Sequence, residues 1–125
     1  MNFTFTEAAL NYIYKKLDNN DIKLYDIIID YLDGNSPYTD SVNGCHCQVY
    51  DKYRILIVSK EDTNIKWDKY DKQISTNIGN VYYPSYYEVM FNQDNKFDYS
   101  ATNFNLYLKS EAGIITEQVQ VIIKL

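Results

Sequence analysis

The sequence predicts an α+β domain, with one N-terminal helix packed on a mostly antiparallel sheet that is sandwich-like or partly closed. Three observations carry this. A helical repeat of apolar residues occurs near the N-terminus. Two runs, Ile27-Ile28-Ile29 and Ile55-Leu56-Ile57-Val58, are apolar without alternation, as expected of strands covered on both faces. Strands and helices do not alternate along the rest of the chain, which argues against a doubly wound parallel sheet.

Each element follows from local chemistry. Phe3 and Phe5 alternate with Asn2, Thr4 and Thr6, the pattern of a short strand with one apolar face. Thr6 is a helix N-cap, because its hydroxyl can accept from an orphan N–H of the first turn. Phe5 and Leu10 are placed to form a hydrophobic staple across that cap. The helix is predicted from Glu7 to Leu17, with Ala9, Leu10, Ile13, Tyr14 and Leu17 on one face. A strand follows from Ile22 to Leu32, then the turn cluster Asp33-Gly34-Asn35-Ser36-Pro37 and a polar loop to Gly44.

Arg54 to Val58 is the second buried strand. Ile65 to Ile74 reads as strand or irregular segment, and Asn77-Ile78-Gly79-Asn80 as a turn. Val81-Tyr82-Tyr83 is a brief strand stopped by Pro84. Ser85 to Phe91 is one helical turn or two, and Asn92 to Asn95 another turn. Phe104, Leu106 and Leu108 alternate into a half-buried strand, and Val119, Val121, Ile123 and Leu125 into a last one. About six to eight strands are expected in all. No repeat or shift of composition divides residues 1–125, so a single domain is expected.

Composition narrows the function. The 125 residues carry a net charge of −5, and the one arginine, Arg54, and the lysines are scattered. A phosphate backbone needs a clustered basic surface, so neither nucleic acid nor an anionic membrane is an expected partner. The N-terminus has no secretory pattern. No stretch approaches the roughly 20 apolar residues that span a bilayer, and a cytoplasmic location is expected.

The two cysteines, Cys45 and Cys47, are one residue apart. On an extended chain they sit near or beyond the usual disulfide span, with both side chains on one face, so they read as thiols. Thiolates are strong ligands for zinc, iron and iron–sulfur clusters. The pair supplies half of a four-thiolate site, and a two-fold homodimer would double it. The plainer reading is two small apolar side chains near a strand edge. His46, if the segment is extended, points away from both sulfurs, so a Cys–His nucleophilic dyad is not expected.

No acidic pair has a persuasive catalytic setting. Asp26 and Asp30 bracket the Ile27–Ile29 run, while Asp68 and Asp71 belong to an acidic face with Glu61 and Asp62. No glycine-rich phosphate loop, serine elbow or zinc-protease motif is present. No enzyme is expected. Fourteen tyrosines is a high count, and Tyr82, Tyr83, Tyr86 and Tyr87 cluster. Tyrosine is frequent at binding surfaces and also in sheet cores, so the cluster reads either as a surface or as packing.

The order of these pieces resembles the iron–sulfur cluster biosynthesis family, the HesB-like or A-type carrier core. Phe3-Thr4-Phe5-Thr6-Glu7-Ala8-Ala9 looks like its first strand, cap and helix. Gly44-Cys45, followed by Tyr50 and Ile55-Leu56-Ile57-Val58, looks like its glycine–cysteine step into a central strand. Phe104 to Gly113 looks like the closing strand and turn of small Gram-positive-type members. The resemblance implies a HesB-like fold over residues 1–125 and a place in cluster biogenesis with protein partners in assembly. It also implies iron or a cluster held by Cys45, and by Cys47 if the pair acts together. The family's C-terminal Cys-Gly-Cys has no counterpart, since no cysteine follows Cys47. The alternative is a cysteine-poor relative that binds a protein or small ligand through its tyrosine-rich surface.

Overall fold

The computed structural model describes residues 1–18, 20–31, 53–61 and 68–124. Strand β1 (Asn2–Phe5) leads into helix α1 (Glu7–Lys16). A 3-10 turn, Ile22–Leu24, precedes β2 (Tyr25–Tyr31). Then come β3 (Tyr53–Ser59), β4 (Lys72–Thr76), β5 (Gly79–Tyr83), a 3-10 helix (Ser85–Met90), β6 (Asp94–Ser100), β7 (Asn105–Ser110) and β8 (Gly113–Lys124).

Among the described residues eight strands form one sheet, in the order β1-β6-β7-β8-β3-β2-β5-β4. It is mixed. The pairs β2–β3, β4–β5, β6–β7 and β7–β8 are antiparallel, whereas β1–β6, β2–β5 and β3–β8 are parallel. The predicted α+β class and single main helix hold. The sheet is barrel-like and nearly closed rather than a pair of stacked sheets.

The near-closure rests on Asn77, in the β4–β5 turn. Its side-chain amide acts as a surrogate peptide group for β1. Asn77 Oδ1 accepts from the Phe5 N–H at 2.8 Å, and Asn77 Nδ2 donates to the Phe5 carbonyl at 2.7 Å. Unpaired strand edges invite association with other chains, and this contact ties the first strand of the sheet to the hairpin at its other end.

Both faces of the central strands are buried, as their unbroken apolar runs predict. Ile27, Ile29, Ile55, Ile57, Val81, Phe97, Leu106 and Leu108 face the main core with Phe3 and Phe5, and Ala9, Ile13 and Leu17 of α1 join them. Ile28, Leu56 and Val58 bury the opposite face with Tyr70. On that same face the β2–β3 register sets Asp30 opposite Arg54. Their side chains are fully buried and joined at 2.9 Å, from Arg54 Nη2 to Asp30 Oδ2.

Helix α1 starts where Thr6 places it. The Thr6 hydroxyl accepts from the Ala9 N–H at 3.1 Å and donates to Asp98 Oδ1 at 2.7 Å. Asp98 is thereby a hub between α1, β6 and β7. Its carboxylate also accepts from the Tyr99 N–H, the Tyr107 hydroxyl and Lys109 Nζ. Partial burial pushes the Asp98 carboxyl up, but the hydrogen bonds from Thr6, Tyr99, Lys109 and Tyr107 outweigh it and hold the group down at about 2. A carboxylate whose pKa falls on folding stabilises the fold fully above its unfolded value. That stability drains away as the pH drops from about 4 toward about 2. Asp98→Asn is expected to cost about 1–2 kcal/mol at neutral pH and to flatten the acid limb of the stability curve in that window. Urea titrations at several pH values check both effects.

Two elements depart from the sequence expectation. Residues 92–95, expected as a turn only, already contain the start of β6 at Asp94. This strand is masked in the sequence because an inward-facing position holds Asn95, which is 1% exposed. Its Nδ2 donates to the carbonyls of Asn2 and Asn92, and its Oδ1 accepts from the Asn92 N–H. Phe104, expected to open β7, instead has a φ of +58° and a ring 74% exposed. The strand begins one residue later, and the inward positions are Leu106 and Leu108.

Candidate functional site

The last described rung of the β2–β3 ladder is Tyr31–Tyr53. The segment joining the two strands, residues 32–52, contains Gly44-Cys45-His46-Cys47. Cys45 and Cys47, the predicted metal ligands, lie outside the described residues, as does His46. What the structure describes is the ground from which that segment departs and to which it returns.

That ground is aromatic. The rings of Tyr31 and Tyr53 meet edge to face at 5.0 Å. Tyr87 packs on Tyr31 at 5.4 Å and Tyr86 on Tyr87 at 5.1 Å. Inward, Tyr53 meets Phe91 at 5.6 Å, and Phe91 meets Phe3 at 5.1 Å. Such edge-to-face pairs each add about 0.5–1.5 kcal/mol beyond area burial. The Tyr53 hydroxyl donates to the Met90 carbonyl at 2.8 Å. Burial, and then the neighbouring Tyr31, push its phenol up.

The 3-10 helix Ser85–Met90 holds Tyr86 and Tyr87 in place. Pro84 gives it no side-chain cap, and Asp71 supplies one from a distance. Asp71 Oδ1 accepts from the Ser85 N–H at 2.9 Å and Oδ2 from its hydroxyl at 2.7 Å. Those bonds, the backbone one first, lower the Asp71 carboxyl. Asp71 is thus a fastener for this helix as well as an exposed acid. Farther along, Glu88 Oε1 accepts from the Tyr83 hydroxyl at 2.9 Å. Burial and then the Glu88 contact push the Tyr83 phenol up to about 12.

The four tyrosines singled out in the sequence therefore do not share one surface. Tyr83 is in the main core at 6% exposure, and Tyr82 lies on the opposite face of β5 with Ile28 and Leu56. Tyr86 is 80% exposed and Tyr87 half-buried. Tyr31 and Tyr53 complete the array, and the sequence did contain a signal for them. Each flanks one of the two buried runs, so pairing those runs centre to centre sets them opposite each other.

Asp26 and Asp30 also separate. Asp26 pairs with Lys60 at 3.2 Å near the surface. Asp30 is buried against Arg54 and accepts from the Tyr70 hydroxyl at 3.3 Å. Among the described residues, no three His, Cys, Asp or Glu side chains converge closely enough to hold a metal ion. Among them, too, no helix is long and apolar enough to cross a membrane.

The model of one protein family, iron–sulphur cluster biosynthesis, matches residues 1–123. The chain belongs to that family. The match takes in the Gly44-Cys45 step, the β2–β3 pair and the C-terminal strands alike. The fold is also similar to that of a candidate Fe–S biosynthesis protein from Lactobacillus salivarius, at a TM-score of 0.77 and 23% identity, covering 98% of each chain. A second such protein, from Lactobacillus acidophilus, is similar at a TM-score of 0.71 and 20% identity, covering 99% of this chain and 90% of that one. At these identities the likeness speaks to the fold alone. No curated protein matches the sequence.

Proposed function

We propose that this member of the family is a non-catalytic carrier in iron–sulfur cluster biogenesis. It would hold iron or a nascent cluster as cargo through the thiolates of Cys45 and Cys47. The observation that carries the reading is the family match, together with the position of these two cysteines in the segment joining β2 and β3, whose apolar runs are buried on both faces. The donor chemistry fits, since thiolates are the ordinary ligands of such clusters. The count does not close within one chain, because two cysteines are half of four. A homodimer whose two-fold axis brings the pairs together completes it. Release to a recipient protein requires weak, accessible ligation, which a two-thiol half-site supplies better than a closed four-thiol cage. The net charge of −5 and the scattered lysines favour protein partners over nucleic acid, and free thiols suit the reducing cytoplasm.

Anaerobic reconstitution with ferrous iron and sulfide tests the reading. The wild type is expected to develop sulfur-to-iron charge-transfer absorption in the visible range. The Cys45→Ser, Cys47→Ser double variant is expected to lose it. Equal iron uptake by the two proteins removes the ligand role.

A second reading, a binding module without metal, is favoured by the exposure of Tyr86 at 80% and Val89 at 86%. They flank a kink of the 3-10 segment at Tyr87 (φ −107°, ψ 15°), so the reading rests on their exposure. Under that reading Tyr86→Ser abolishes partner capture, while iron uptake is absent from the start.

A further inference from the structure

Among the described residues, four phenol rings stand in series at the Tyr31–Tyr53 end of the β2–β3 ladder. The centroid separations are 5.0 Å from Tyr53 to Tyr31, 5.4 Å from Tyr31 to Tyr87 and 5.1 Å from Tyr87 to Tyr86. Tyrosine gives up a single electron far more readily than phenylalanine. Inward of Tyr53 the series continues through Phe91 and Phe3, so among the described residues the next phenol on that side, Tyr83, is reached only across two phenylalanine rings. Outward it reaches Tyr86, which is 80% exposed.

We propose that Tyr53, Tyr31, Tyr87 and Tyr86 form a relay for one-electron oxidising equivalents, carrying an electron vacancy from the base of the cysteine-bearing segment to the surface. The oxidant is of the oxygen-radical class and strong enough to take an electron without a proton, the carbonate radical anion for example. It takes one electron from Tyr53 and is reduced by that electron. Each outer ring then passes one electron inward, and the vacancy moves outward.

The fate of the proton sets the direction. An oxidised phenol is strongly acidic and becomes a stable phenoxyl only where its proton has somewhere to go. The Tyr53 hydroxyl faces the Met90 carbonyl, an oxygen too weakly basic to keep a proton, so the vacancy is not trapped there. At Tyr86 the proton leaves to bulk water. The net change is one Tyr86 phenol converted to a neutral phenoxyl radical, one proton released and one oxidant molecule reduced by one electron. Tyr83 differs, because its hydroxyl faces the Glu88 carboxylate, which can keep a proton. Its ring reaches the series by way of Phe3 at 5.9 Å, so it stands beside the relay rather than in it.

The inference rests on ring geometry and not on metal binding by the thiols. Its test uses iron-free protein, so the two ideas fail separately. In the test, 3-aminotyrosine replaces Tyr53. This ring has the same shape but is oxidised more easily, so it reverses the drive along the same path. Azide radicals generated by pulse radiolysis oxidise exposed tyrosines, and the aminotyrosyl radical is followed by its absorption.

The expected growth is first-order and independent of protein concentration. Tyr31→Phe and Tyr87→Phe keep the rings and remove the stepping sites. Each is expected to slow the growth by an order of magnitude or more, whereas Tyr12→Phe leaves it unchanged. Equal rates in all of these variants, or a rate proportional to protein concentration, would overturn the relay.

Discussion

Replacing Arg54 with methionine is expected to destabilise the fold by about 3–5 kcal/mol, the cost of leaving a buried carboxylate without its cation. Arg54 is the most voluminous of the fully buried side chains among the described residues. Its Nη2 reaches Asp30 Oδ2 at 2.9 Å and its Nε reaches the same oxygen at 3.0 Å. Arg54→Lys should not rescue it. An ammonium group is a compact point charge that cannot reproduce the planar fork and sheds its hydration less readily. The double variant Asp30→Leu, Arg54→Met should cost less than Arg54→Met alone, because no charge is then left buried by itself. Urea denaturation of the wild type, Asp30→Leu, Arg54→Met and the double variant gives the cycle. Additive losses would mean that the two groups act independently, contrary to the geometry.

Asn77→Ala is expected to cost about 2–4 kcal/mol, because a donor and an acceptor of the Phe5 backbone lose their partners together. The consequence for the sheet differs in kind from a core cavity. Without the amide, β1 is bound by β6 on one side only, and the seam between β1 and the β4–β5 hairpin becomes two open edges. Faster amide hydrogen exchange at Phe5 and Asn77, with little change at Ile28 or Leu56, is the expected signature. A greater tendency to associate at high concentration should accompany it. Uniform acceleration across the sheet would show that the seam is not a local closure.

The sequence made some of this legible and concealed the rest, for identifiable reasons. The two buried strands were plain because β-branched runs without alternation have few other uses. The helix start was plain because Thr6 is flanked by Phe5 and by an apolar helical repeat. Strand β6 was obscured by Asn95, whose buried amide replaces the apolar residue that the pattern demands. The near-closure was invisible, since it depends on an asparagine meeting a backbone 72 residues away. The parallel pairings β1–β6 and β3–β8 are equally non-local, and periodicity within a segment cannot report which distant edge it joins. The four tyrosines form one cluster along the sequence, but alternation along β5 sends Tyr82 and Tyr83 to opposite faces. The array that does exist is assembled from three separate segments.

The carrier reading is tested most directly by anaerobic native mass spectrometry of the iron- and sulfide-reconstituted protein. The account predicts a species with the mass of two chains plus one cluster, absent from the Cys45→Ser, Cys47→Ser variant. Iron found only on single chains, or the same loaded mass in the serine variant, would contradict it.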